Sequence, residues 1–459
     1  MKNHNMAINN YFLDIQSSVL TQAKNKESRV SDFLIILVLF IISGNPAMSF
    51  GLPNQPFYVA VAIIFFGLLF WRNIHITSTH AIGIFIFFSF ILVYQSCAFS
   101  FFPVVTILGF LVRLFIAFAV VRLLKNFAKS YVDVIYALSL LSLLFYIPHQ
   151  IGFFLNIDFA SLFTPIEPLF GEPQGWRSTI FLHTFFNIRG FEHRNAGMFW
   201  EPGAFAGYLN IGIIFLAMVK HQYDLRAYWM RLIVLALCLL STFSTTGYIA
   251  MPLALLLHMK IEISTKTSTI LKTIAIIYLI ALVFLIFYVF VWEQPFMKEK
   301  VLNSIFVTQY QKPGWEADRI GTLFFDYDYI KERPFTGWGL HGETRHALHP
   351  FLEGLAETGR GNGMSDFAAK MGVPALFLWM FGVFKYLFIL SGNNLIRGGI
   401  GLLCIMIILN GECYLNYPLF LCFFFLYKEL SLKQTDSAMD SVAGDQSLAK
   451  QPATLSSKI

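Results

Sequence analysis

Charge is what this chain has least of. Only 13% of its 459 residues are Asp, Glu, Lys or Arg, against about 25% in a typical soluble domain. With 56% hydrophobic residues and 51 phenylalanines, that shortage excludes an ordinary water-soluble fold. Cysteine is scarce too. Cys97, Cys238, Cys404, Cys413 and Cys422 lie in or beside apolar runs without a CxxC spacing, so they read as small packing residues rather than disulfide or metal partners. HExxH, Walker and GxSxG patterns are absent, so nothing suggests a nucleotide-driven pump or a serine-hydrolase elbow. The net charge of +6 is spread thinly over short loops and leaves no nucleic-acid footprint. No small-residue cleavage site follows the first apolar run, which starts at Phe33 behind Lys24, Lys26 and Arg29; it reads as a retained span.

What the chain does have is apolar runs of membrane-spanning length. Twelve spans are expected near 32–50, 56–71, 81–100, 103–121, 133–155, 202–219, 227–243, 245–261, 270–292, 371–390, 397–411 and 414–428. The fold class is therefore an all-α polytopic membrane protein of about twelve transmembrane helices. With the N-terminus inside, the inner segments collect Arg72; Arg122, Lys125 and Lys129; Lys220, Arg226 and Arg231; Lys260, Lys266 and Lys272; and Arg397. The short outer connections hold no lysine or arginine. Reading 227–261 as one helix would invert every later loop, so two short spans joined at "STFSTTG" are expected. Residues 1–31 form an inner N-terminal segment, 32–428 the membrane domain, and 429–459 a polar, disordered inner tail.

Two outer loops are large, at about 156–201 and 293–370, and rich in Trp, Phe, Arg, His and Glu. In "RNAGMFWEPGAFAGYL" (194–209) the sixth span begins at Pro202, which suits a first helical turn. Its N-terminus makes a natural anion site, and Arg194 suits a phosphate bidentately; Arg189, Glu192 and His193 crowd the same mouth. The alternative is an Arg194–Glu201 ion pair that merely fixes the loop. In the second loop, Ile320, Leu323 and Phe324 follow Arg319 at helical spacing, and Pro334, Gly337 and Gly339 close the segment. An amphipathic helix lying on the membrane and a tight turn are expected there. His341, His346 and His349 follow, of which one could serve as a general base or all could be solvated. "DYD" (326–328) has the DxD spacing of metal-dependent sugar transferases, but such a pair arises freely by chance. Arg113, inside span four, must face the bundle interior or a wet cavity, meeting either a lipid phosphate or a carboxylate. Glu412 reads as a rim residue.

The order of these features resembles the O-antigen polymerase and O-antigen ligase superfamily of bacterial inner-membrane glycosyltransferases. Four stretches carry the likeness: "RNAGMFWEPGAFAGYL", the Ser/Thr-rich "STFSTTGYIAMPL" (241–253), "DRIGTLFFDYDYIKERPFTGWGL" (318–340) and "GNGMSDFAAKMGVPALFLWM" (361–380). Many members have an arginine where this chain has Thr245 or Thr246. The resemblance implies a GT-C-like membrane fold with both loops periplasmic and both termini cytoplasmic. It implies a metal-independent transferase without a cofactor, whose donor is an undecaprenyl-diphosphate-linked oligosaccharide. Arg194 and Arg319 would contact the diphosphate, Glu201 or His349 would take the acceptor proton, and Asn362, Arg189 and His193 would position the glycan or the loop. A chain-length regulator and a flippase are the partners it implies, besides membrane lipid. Ligases commonly pair a histidine closely with an asparagine in the second loop. Here His349 and Asn362 are well separated, which favours a polymerase. A transporter of lipid-linked sugars is the reading from another class, weakened by the few midplane charges and by the lack of an internal repeat.

Overall fold

The computed structural model describes residues 30–48, 54–74, 78–163, 177–186, 193–259, 319–345 and 362–432. Apolar sequence of helical length becomes helix throughout. The first half contains α1 (Val30–Gly44), α2 (Asn54–Trp71), α3 (Thr79–Ala98), α4 (Val104–Leu123) and α5 (Phe127–Phe154). Next come α6 (Pro202–Met218), α7 (Leu225–Ser241) and α8 (Thr245–Leu256). Beyond them lie α9 (Arg319–Glu332), α10 (Gly342–Arg345), α11 (Gly363–Met371), α12 (Val373–Leu390), α13 (Leu395–Leu409), α14 (Pro418–Leu421) and α15 (423–432). Among the described residues α3, α4, α5 and α12 are each long and apolar enough to cross a bilayer, and α1, α2, α6, α8 and α13 are shorter apolar helices. This is a multi-pass helical membrane protein. The ninth expected span, 270–292, lies outside the described residues.

Short polar residues start many of these helices. Ser78, Asn126, Asp224, Ser244, Asn362 and Asn394 each accept a backbone N–H of their helix's first turn, satisfying a donor the helix itself leaves open. The "STFSTTG" hairpin separates α7 from α8 as the loop charges require, with Phe243 at φ 47 at its tip.

α6 is the centre of the bundle. Every residue of it except Gly203 is buried, and it packs on α5, α7, α8 and α13; a helix apolar on all sides belongs in the middle. Gly207 makes one of its contacts possible, because a Cβ there would collide with the Tyr414 hydroxyl. That hydroxyl donates toward the Gly203 and Ala204 carbonyls at 3.2 and 3.1 Å.

Basic residues gather at one end of the bundle. Arg72 donates to the Leu123 carbonyl at the end of α4, and Arg397 donates to the carbonyls of Ala217 and Leu257 at the ends of α6 and α8. Cations at helix C-termini are favourable for the dipole and for the open carbonyls. Arg122 pairs with Glu429 at 2.6 Å, and Asp133 with Lys129 and Arg231. The opposite end, called the mouth below, carries the start of α6, the α7–α8 turn, the end of α13 and the loops.

Two expectations change. Helix does not account for all the order in the first loop: strands β1 (Arg177–Thr179) and β2 (Thr184–Phe186) form an antiparallel hairpin with Ser178 opposite Phe185. Phe185 and Ile180 seat it against Phe145 of α5 and against Phe159 and Phe163, so aromatic burial orders a segment whose helical periodicity is nil. α9 forms where expected; among its described side chains Thr322, Asp326 and Tyr329 are buried, while Leu323 is 45% exposed. The helix docks on α11, and Ser365 Oγ donates to Asp326 Oδ2 at 2.7 Å. A hydrogen-bonding partner from a distant segment therefore fixes which polar face of α9 turns inward, while Leu323 stays on the outer face.

Candidate active site at the mouth of the bundle

Arg194 sits on the turn between α7 and α8, its Nε donating to the Thr242 carbonyl at 3.1 Å. The residue that holds it there is its neighbour. Asn195 is fully buried. Its Oδ1 accepts from Ser142 Oγ at 2.7 Å and from the Gly197 amide at 2.9 Å. Its Nδ2 donates to Ser241 Oγ at 2.9 Å, and its backbone N–H donates to the Ser241 carbonyl. One amide thus ties the Arg194 segment to α5 and to the end of α7. The sequence signal for it is an Asn two residues before a Gly, the mark of an Asn-stabilised turn, and charge-led reading passes over it. His193 packs its ring on Phe243 at 4.7 Å, and its carbonyl accepts from the Tyr146 hydroxyl. Asn45, in the break after α1, donates to the Phe181 and Met198 carbonyls and so anchors both the hairpin and the loop.

Glu201 is the N-cap of α6, extended at φ −159 and ψ 162, and makes no capping bond with its side chain. No ion pair joins it to Arg194, and its half-buried carboxylate has no partner among the described residues. The first-turn amides of α6 therefore carry no side-chain cap, unlike those of α8 and α11, which Ser244 and Asn362 cap. An uncapped N-terminus keeps its donors and its positive end for an anion.

Beside it lies a narrow surface cleft without room for a water molecule, lined by Gly203, Gly207, Thr246, Gly247, Ile408, Gly411 and Glu412. Glu412 is a buried wall residue, 8% exposed, rather than a rim residue. Its carbonyl packs on Gly363, the first residue of α11, where a Cβ would collide. Cys413 next to it stays a thiol, because burial and then the Asp366 carboxylate push its pKa well up.

Of the remaining expected site residues, Asn362 is buried with both amide ends engaged. Its Oδ1 caps α11 and its Nδ2 donates to Asn410 Oδ1 at 2.9 Å, so it positions the loop and has little left for a sugar. Arg319 is the first residue of α9, two turns before Asp326. Arg189 and His349 lie outside the described residues. The two carboxylates of "DYD" part company: Asp326 is buried and Asp328 exposed, since residues two apart on a helix do not share a face. The turn after α9 is tight at Gly337, at φ 66, where a Cβ would strike the Lys370 carbonyl. Trp338 and Gly339 donate there to the end of α11.

Residues 230–380, from α7 into α12, match a family model described as O-antigen ligase. That match supports the O-antigen polymerase and ligase superfamily over this region of the chain. No curated protein matches it. The matched region holds the α7–α8 turn that carries Arg194, together with α9, α11 and the helix that follows. The matched family implies a glycosyltransferase-like enzyme, and its members act on lipid-linked glycan substrates. Arg194, the open end of α6, Glu201 and the cleft lie together at the mouth end of the bundle.

Proposed function

We propose that this protein is a surface-polysaccharide polymerase of the bacterial inner membrane. It transfers a growing glycan from undecaprenyl diphosphate onto the next lipid-linked repeat unit at the periplasmic face. The observation that carries the reading is Arg194, held by the Thr242 carbonyl and by Asn195 at the mouth where α6 begins uncapped.

In the reaction, the bond between the anomeric carbon and the diphosphate oxygen breaks while a bond to the acceptor hydroxyl oxygen forms. Charge builds on the departing diphosphate, where Arg194, Arg319 and the α6 amides neutralise it. The hydroxyl proton goes to Glu201, whose carboxylate no ion pair consumes among the described residues, or to His349. A single displacement of this kind inverts the anomeric carbon. No metal ion is needed if the arginines carry the charge. A chain-length regulator and a flippase would act beside the enzyme, and both termini would lie in the cytoplasm.

Deleting the gene in an O-antigen-bearing host tests the reading directly. Lipopolysaccharide capped with one repeat unit is expected. Core without O-antigen would instead make the protein a ligase, the activity named in the family description. Purified protein should lengthen lipid-linked repeat units without other enzymes, and failure to do so would favour transport. Arg194→Ala and Arg319→Ala should each lower polymer yield by about 10²-fold, the scale of losing one transition-state donor. Unchanged yield and length in both would overturn the site.

A further inference from the structure

Arg113 is a cation with no ion-pair partner among the described residues. It stands midway along α4, inside an expected span. Its Nη1 reaches the Asn416 carbonyl only at 3.5 Å, and its guanidinium lies 5.0 Å from the centre of the Tyr58 ring. The Tyr58 hydroxyl is spent on the Ile42 carbonyl at 2.7 Å. Among the described residues no carboxylate comes within ion-pair distance, whereas Arg122 and Arg231 at the opposite end are both paired. Arg113 Nε is buried with no partner, and so is Asn416 Oδ1.

A buried donor without an acceptor, on a charge inside a membrane, calls for a ligand. Arg113 meets the Asn416 backbone carbonyl, and amide oxygen and nitrogen are interchangeable by rotation, so the unpartnered Asn416 amide on the same turn can offer a second donor to the same ligand. Two donors, one of them a guanidinium, suit the oxygens of a phosphate. The side chain carries its charge up from mid-helix to the last turn of α1 and the second turn of α2, marked by Ile42 and Tyr58. It reaches the mouth end by snorkelling. On the same two helices, Val59 and Ile63 of α2 and Val105 and Leu108 of α4 are exposed, as expected of surfaces that meet lipid chains. Arg194 is elsewhere, on the α5, α7 and α8 side.

We propose that Arg113, with Asn416, binds the phosphate of a membrane lipid between α2, α4 and the Tyr414–Asn416 turn. The full-length protein in mild detergent is incubated with phosphatidylglycerol, with diacylglycerol of the same chains, or with inorganic phosphate, and bound mass is read by native mass spectrometry. Wild type should retain one phosphatidylglycerol that diacylglycerol does not replace and millimolar inorganic phosphate does not displace. Arg113→Met should bind it about tenfold more weakly, as expected for a lost charged hydrogen bond, with Arg194→Ala unaffected. Asn416→Ala, a milder change, should weaken it also. Equal retention by wild type and both variants overturns the proposal, as does equal retention of diacylglycerol. Displacement by inorganic phosphate overturns the lipid source.

Discussion

The Asn195 amide accepts from Ser142 and Gly197 and donates to Ser241, so its removal would strand several buried groups beside Arg194. Asn195→Ala should lower stability by about 2 kcal/mol, the scale of unsatisfied buried polar groups, as read by thermal unfolding in detergent. It should also reduce polymer yield, because the Arg194 segment loses its tie to α7. Unchanged melting and yield would make the amide incidental. Arg194 and Glu201 are visible in the sequence as charges at a helix mouth. Their seven-residue separation invites an ion pair, but only the folded turn shows Arg194 spent on the Thr242 carbonyl. Asp326 and Asp328 teach the same lesson: spacing in the string says nothing of direction until the segment is known to be helix.

At the scale of elements, the first-loop hairpin holds a titratable group in an apolar seat. His183 is fully buried, its ring 5.6 Å from Phe145 and 4.7 Å from Phe185. Burial, and then His149, lowers its pKa from 6.5 to about 3. The unfolded segment therefore binds the proton more readily than the folded one. The stability it contributes is complete above the ordinary histidine value and is lost progressively as pH falls toward the folded value. Hydrogen exchange at 177–186, corrected for intrinsic rates, should quicken between about pH 7 and about pH 4.5. His183→Phe, which fits the aromatic seat, should remove that difference; if it persists, His183 is not the cause. Helices were legible here from apolar length, caps and prolines. The hairpin was not, because three-residue strands carry no period, and the inward face of α9 was not, because Ser365 selects it from another segment.

For the whole molecule, the basic residues of α2, α4, α5, α7 and α13 meet at one end, and the mouth lies at the other. The positive-inside bias then predicts that the mouth is the outer face. With Cys97→Ser as background, a membrane-impermeant maleimide should label Phe102→Cys in intact cells and Leu395→Cys only after lysis; both positions are exposed. The reverse pattern would invert the topology and move the transfer reaction to the cytoplasmic side.

Composition and apolar length alone determined that this is a helical membrane protein, since so few charges cannot cover a soluble surface. Loop charge determined the α7–α8 break, and motif order pointed to the superfamily, because these signals are local or cumulative along the chain. The tertiary structure decided what depends on contacts between distant segments. Among the described residues it left Glu201 without an ion pair, put Glu412 in a cleft wall, gave Asn195 the hold on Arg194, and set Arg113 beside the Asn416 carbonyl rather than a carboxylate.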